Sequence, residues 1–152
     1  MVESRAVAPG DVEALVAKMR QADVDELIAG GTGDFVEAIQ SSVDRSAFCK
    51  TFTSDGRMVC IVGVVPAGGL FDPVGIPWML GTDLVTRNQR VLMRECRPYI
   101  QEMLQAYPIL VNFVHAENTR AVRWLKCVGF SLQTPEPFGP LGAPFHRFTM
   151  RA

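Results

Sequence analysis

Two proton-carrying side chains sit at or near the ends of apolar runs. Asp83 follows "IPWMLGT", and His115 lies near the end of "ILVNFVHA". A carboxylate or an imidazole held at a strand end can exchange a proton with a bound substrate. Plainer readings stand beside these: a turn or helix-cap carboxylate for Asp83, and a core or strand-edge imidazole for His115. Glu117 reads as a solvated turn residue. Between the two runs, "TRNQRVLM" gathers Arg87, Gln89 and Arg90 at a strand–helix junction, with Arg94 and Arg97 further on. Side chains of this kind suit charge-assisted contacts to phosphate oxygens, although the same arginines also read as a solvated helix face. Metal chemistry is not expected. Cys49, Cys60, Cys96 and Cys127 are scattered without a CxxC, and His115 and His146 alone cannot build a zinc site.

The elements that must position these residues follow from periodicity. "PGDVEALVAKMRQADVDEL" puts Val12, Leu15, Val16 and Met19 on one helical face with Asp11 as N-cap, and "DFVEAIQSS" repeats the pattern, giving two N-terminal helices. Asp55-Gly56 between two β-rich runs predicts a hairpin, with Pro66 ending its second strand. "AGGLFDPVGIP" reads as a Gly/Pro-rich loop and "IPWMLGTDLV" as a strand in which Gly81 marks a bulge or a close approach. From Asn88, Leu92, Cys96, Tyr99 and Met103 share a helical face opposite Arg90, Arg94 and Arg97, and Pro98 predicts a kink or two helical pieces. "ILVNFVHA" suits a strand buried on both faces in a parallel pairing. Ala121, Trp124, Leu125 and Val128 form the stripe of a last helix ended by Gly129, and the tail reads as two strands around a Pro/Gly loop.

The 152 residues read as one domain, 1–152, with a net charge of -1 that provides no broad basic field for nucleic acid. No apolar run is long enough to cross a bilayer, and the start is not a signal peptide, so a cytoplasmic protein without a membrane partner is expected.

This element order, with Asn118, Ala121, Trp124, Leu125, Gly129 and Phe130 in the frame Asn-x-x-Ala, aliphatic-Tyr, Gly-Phe, resembles the GNAT superfamily of acetyl-CoA-dependent N-acetyltransferases. "WMLGTD", "YPILVNFVHAENTRAVRWLKCVGF" and "PFHRF" further resemble acetyltransferase-like proteins of tailed phages, named after internal virion or morphogenesis proteins. The resemblance implies an α/β fold with a GNAT-like mixed central sheet flanked by helices. It implies acetyl-CoA as cosubstrate and an unidentified amine as acceptor. The alternative it leaves is a catalytically degenerate phage protein that binds virion or host proteins.

The resemblance also implies site roles. Asp83 or His115 is the base; Leu84, Val85, Arg87, Gln89, Arg90, Asn118 and Trp124 contact the cofactor; the backbone of Met79 to Val85 pairs with pantetheine. Asn118 reads equally as a helix N-cap, and Trp78 and Trp124 as core anchors. Two departures stand out. The Gly-rich phosphate loop is replaced by "TRNQRVLM", and the family's Tyr acid is Leu125, which donates nothing. Pairing through the C-terminal strands would give a homodimer.

Overall fold

The computed structural model describes residues 1–69 and 71–152; Leu70, within the loop read from "AGGLFDPVGIP", lies outside the described residues. The elements run β1 (Val2–Ala6), α1 (Asp11–Lys18), α2 (Gln21–Ala29), α3 (Phe35–Arg45), β2 (Phe48–Ser54), β3 (Arg57–Pro66) and β4 (Val74–Gly81). They continue with α4 (Leu84–Arg87), α5 (Gln89–Ala106), β5 (Ile109–His115), α6 (Thr119–Val128), β6 (Ser131–Leu132), β7 (Glu136–Phe138) and β8 (Ala143–Arg151). This is the α/β fold read from the sequence, a mixed sheet with helices on both faces.

The sheet is ordered β1-β2-β3-β4-β5-β8-β6, with β7 pairing β8; β4 and β5 are parallel and the other pairs antiparallel. The β2–β3 hairpin turns on Asp55 and Gly56 at φ 51° and 77°. Positive φ at both central residues gives the twist that flanking strands need, so Asp-Gly marks this turn correctly. Residues 59–65 of β3 are all buried, because helices cover both faces of this strand.

Two cores result. Val12, Leu15 and Ile39 of α1 and α3 pack with Ile61 and Leu80 on one face. On the other, Leu92, Cys96, Tyr99 and Met103 of α5 pack against Val62, Val64, Leu110 and Phe148. The α5 stripe is the one expected, and the helix runs unbroken through Pro98. Trp78 anchors the sheet from β4, its Nε1–H donating to Ser46 Oγ at 2.9 Å, and it lies flat over Gly63. A Cβ on Gly63 would stand 2.7 Å from Trp78 Nε1 and 2.9 Å from Cys49 Cβ. Gly63→Ala is therefore expected to lower stability by about 1–3 kcal/mol, read from a denaturant midpoint.

Several sequence readings need correction. The first helical stretch breaks at Met19-Arg20, where Met19 forms an isolated bridge with Thr82, so it yields α1 and α2 rather than one helix. Asp11 is not the N-cap; Gly10 is, at φ 91°. The Asp11 carboxylate instead ties β1, α1 and β2 together. It accepts from both Arg5 guanidinium nitrogens at 2.7 and 3.0 Å, from Ala8 N–H at 2.8 Å and from Thr51 Oγ1 at 2.8 Å. β1 was not foreseen: its residues are mostly exposed, and backbone pairing with β2 holds it.

β5 is not buried on both faces, since only Leu110, Val114 and His115 are buried, and its parallel ladder with β4 is two pairs long. Gly81 carries no bulge: β4 stays in register with β3, and a Cβ there would meet Val85 Cγ2 at 2.4 Å, so the glycine admits close packing of α4. The tail contains three strands rather than two. β8 pairs with β5 on one side and with β6 and β7 on the other, so the outer strands at this end of the sheet are β6 and β7.

Candidate active site

The site begins where a ladder stops. Thr82 N–H donates to Val59 O, so the even-numbered residues of β4 turn their backbone groups toward β3 and the odd-numbered ones toward β5. Val74 and Gly75 pair with Ile109 and Leu110; the next residue due to donate is Pro77, which has no N–H. Asn112 Nδ2 donates to Pro77 O across the gap at 2.7 Å, and beyond this point the two strands are no longer paired. A cavity of about 300 Å³ passes between them, lined on one side by α2 and Trp78 and on the other by α5, α6 and Phe130.

The far end of the β4 edge is already occupied. Gly81 N–H donates to Asp23 Oδ2 at 2.8 Å, and Gly81 O accepts from Arg20 N–H at 2.9 Å. Asp23 also takes the Arg20 guanidinium at 2.8 Å. Met79 lies between Pro77 and Gly81, and its N–H and C=O face the gap without a partner among the described residues.

Glu26 is the titratable group the sequence did not point to. From α2 it reaches the end of β5, where its Oε1 accepts from His115 N–H at 2.9 Å and from Asn118 Nδ2 at 3.4 Å. Burial, reinforced by the negative charge of Asp23 and opposed by these hydrogen bonds, pushes its carboxyl up to about 7. It lines the cavity together with Arg20, Asp23 and Leu27. The polar face of α2 thus turns inward, although polar spacing on a helix ordinarily marks the solvated side. The sequence held no local signal for this beyond the three-residue spacing of Arg20, Asp23 and Glu26.

No family model matches the sequence, and no curated protein matches it. Solved structures do match. A GCN5-related N-acetyltransferase from Kribbella flavida aligns at TM-score 0.71 and 16% identity, covering 99% of this chain and 98% of that one. Spermidine N-acetyltransferase from Vibrio cholerae, solved with CoA and spermine, aligns at 0.70 and 14%, covering 99% and 95%. The ribosomal-protein-S18-alanine N-acetyltransferase from Escherichia coli aligns at 0.68 and 12%, covering 99% and 94%. The chain has the GNAT fold.

Against the GNAT fold, the residues singled out from the sequence divide into two groups. Trp124 lines the main cavity, and with Val85 and Gln89 it also lines a side pocket of about 20 Å³. Asn118 is buried and caps α6, its Oδ1 accepting from Ala121 N–H at 3.3 Å, while its amide reaches Glu26. Leu84 packs on the α5-side core, and Arg87 and Arg90 are exposed near the α4–α5 junction. Asp83 is exposed beside α4, has no hydrogen bond and lines neither pocket. His115 presents its backbone N–H to Glu26, while its ring packs 5.2 Å from Phe145. Tyr99 and Tyr107 line neither pocket, and Leu125 forms part of the apolar wall.

The basic residues prove more organised than the sequence suggested. Arg97 Nη2 donates to Cys127 O at 3.3 Å, and Arg120 Nη1 donates to Thr86 Oγ1 at 3.1 Å, so both bridge α6 to the α4–α5 arm. Arg90 and Arg97 lie seven residues apart on one side of α5, and Arg120 and Arg123 three apart on α6. Among the described residues, no cluster of three or more His, Cys, Asp or Glu side chains is placed to hold a metal. No described helix is long and apolar enough to cross a membrane.

Proposed function

We propose that this protein is an acetyl-CoA-dependent N-acetyltransferase, acting as a single GNAT-like domain over residues 1–152. The observation that carries the reading is the unpaired gap between β4 and β5, with the Glu26 carboxyl facing the cavity that runs through it. The residues present fit an acyl-CoA. The free C=O of Met79 accepts from a pantetheine amide N–H, which leaves its N–H for the thioester carbonyl, and Trp124, Leu125 and Ile100 supply an apolar wall. Gln89 and Arg120 line the side pocket beside the first turn of α5, with Arg90 exposed in the same turn, and this is where the phosphates would lie. Positive side chains here take the role that glycine-spaced amides have elsewhere in the superfamily. Bound there, acetyl-CoA supplies an acetyl thioester.

The chain's own residues do the rest. The Glu26 carboxylate takes a proton from the acceptor ammonium, leaving the neutral amine to attack the thioester carbon. A C–N bond forms as the C–S bond breaks. Met79 N–H donates to the carbonyl oxygen as negative charge develops on it. Among the described residues the family's tyrosine position is Leu125, which has no proton to give. CoA therefore departs as a thiolate and is protonated from solvent, while the nitrogen releases its second proton to solvent as the amide forms. Of the two candidates read from the sequence, Asp83 lines neither pocket and His115 gives its backbone N–H to Glu26, so the base proposed is Glu26. Phage origin is proposed on the likeness of "WMLGTD", "YPILVNFVHAENTRAVRWLKCVGF" and "PFHRF" alone. The degenerate-scaffold alternative rests on the missing glycine loop and Leu125, and Glu26 in an open gap weighs against it.

The test is calorimetric titration with acetyl-CoA, followed by an assay of amine-dependent thiol release. Micromolar binding and thiol release are expected; no binding by folded protein would remove the reading. Arg120→Ala is expected to weaken acetyl-CoA binding about tenfold, the size of one charge-assisted hydrogen bond, with a smaller salt dependence. Unchanged affinity would take Arg120 out of the phosphate site.

A further inference from the structure

Resting on the transfer reading, the composition of the cavity's α2 side narrows the acceptor. The acidic side chains lining it are Asp23 and Glu26. Asp23 is 2% exposed, and its Oδ2 accepts from both the Arg20 guanidinium and the Gly81 N–H. That pair is neutral as a unit, so one carboxylate remains to meet a cation. A polyamine or another polycationic acceptor would bring several ammonium groups against a single counter-charge, and an unpaired charge in such a wall is costly.

Apart from Arg20, Thr32, Ser42 and Asn112 the rest of the wall is apolar, and part of it is aromatic. Phe113 and Phe145 line the cavity, and Phe138 joins them from β7. It stacks on Phe113 at 4.1 Å and 13°, and meets Phe145 edge-on at 5.2 Å. Phe138 itself is 39% exposed, with Leu141 at 68% three residues on and the exposed carboxylate of Glu136 two residues before it in β7. Exposed apolar side chains of this size suit an apolar ligand.

Beside α2, the loop after the helix packs against the β7–β8 turn: a Cβ on Gly31 would stand 2.4 Å from Pro140 Cγ, and one on Gly139 would meet Ala29 O at 3.6 Å.

We propose that the acceptor is a compact primary monoamine on an aromatic body, its ring lying against Phe113 and its nitrogen directed at Glu26. The aromatic wall selects the body by face or edge contact, and the lone carboxylate selects the single cation.

The probe is 2-phenylethylamine, compared with spermidine and with an alanine-N-terminal peptide, and binding is read separately from turnover. Acetyl-CoA affinity is measured first, so failure of the transfer reading registers there. Calorimetry with each amine then reads the acceptor site with or without CoA. We expect 2-phenylethylamine to bind and to be acetylated at least tenfold more efficiently than the other two. Phe113→Leu, which keeps an apolar side chain in β5, is expected to raise its KM or Kd about tenfold with acetyl-CoA affinity unchanged. Preference for spermidine or the peptide, no binding of 2-phenylethylamine, or an unaffected Phe113→Leu variant would each overturn the proposal.

Discussion

Glu26→Gln is expected to lower acetyl transfer by about 10²–10⁴-fold while leaving acetyl-CoA affinity intact. The glutamine keeps a carbonyl oxygen to accept from His115 N–H and Asn118 Nδ2, so the join between α2 and the end of β5 survives. What disappears is the proton acceptor. In the unsubstituted protein, kcat/KM should rise with pH through about 7, where burial has placed this carboxyl, and then level off. The variant should lose that limb. Stability moves the other way. The folded carboxyl holds its proton up to about 7, whereas the unfolded chain releases it near 4.5. Between those values the folded state binds more protons, so stability falls as pH rises, by on the order of 3 kcal/mol in all. Glu26→Gln should therefore melt higher than the parent at pH 8 and not at pH 4. A variant with full activity would return the base to Asp83 or to solvent.

Asp11→Ala is expected to destabilise the fold by about 3–5 kcal/mol, a large share of the roughly 5–15 kcal/mol typical of a domain. Removing the carboxylate strips the Arg5 guanidinium, Ala8 N–H and Thr51 hydroxyl of one shared acceptor. The Arg5 hydrogen bonds first, then those from Ala8 and Thr51, hold the Asp11 carboxyl down at about 2, below its ordinary 3.8. A depressed carboxylate lends stability that is fully present above about 4 and is lost as pH falls through about 2, on the order of 2 kcal/mol here. Urea midpoints at pH 7 and pH 2.5 should show the difference between variant and parent shrinking on acidification. An undiminished difference would mean that Asp11 acts through packing rather than charge.

Much of this architecture was legible because local signals and tertiary context agreed. Asp55-Gly56, the α5 stripe and the Asn118 cap each follow from one residue's conformational or hydrogen-bonding preference. β1 was missed because Glu3, Ser4 and Arg5 fill its middle without alternation, leaving no side-chain pattern, while backbone pairing with β2 holds most of it. Glu26 was missed because the inward face of α2 is polar, and period alone cannot tell a face that meets water from one that meets a cavity. The gap itself did have a signal. Pro77 inside an apolar strand run argues against continuous pairing on both sides, and its odd-numbered position tells which side fails. Asp83 is the opposite case: an acid at the end of a strand run that is exposed and does not line the cavity.

Pro77 has a consequence for how the molecule comes apart. With two residue pairs joining β4 to β5, the backbone ladder divides into one half ending at β4 and another beginning at β5, bridged by α5. Such halves are natural candidates for separate cooperative units, each able to open at its own free energy. A ligand lying along the gap would touch both and act as a strut, so its binding energy would appear as coupling between two otherwise semi-independent folding units. The proline that opens the cleft would then also make the integrity of the domain depend on what fills it.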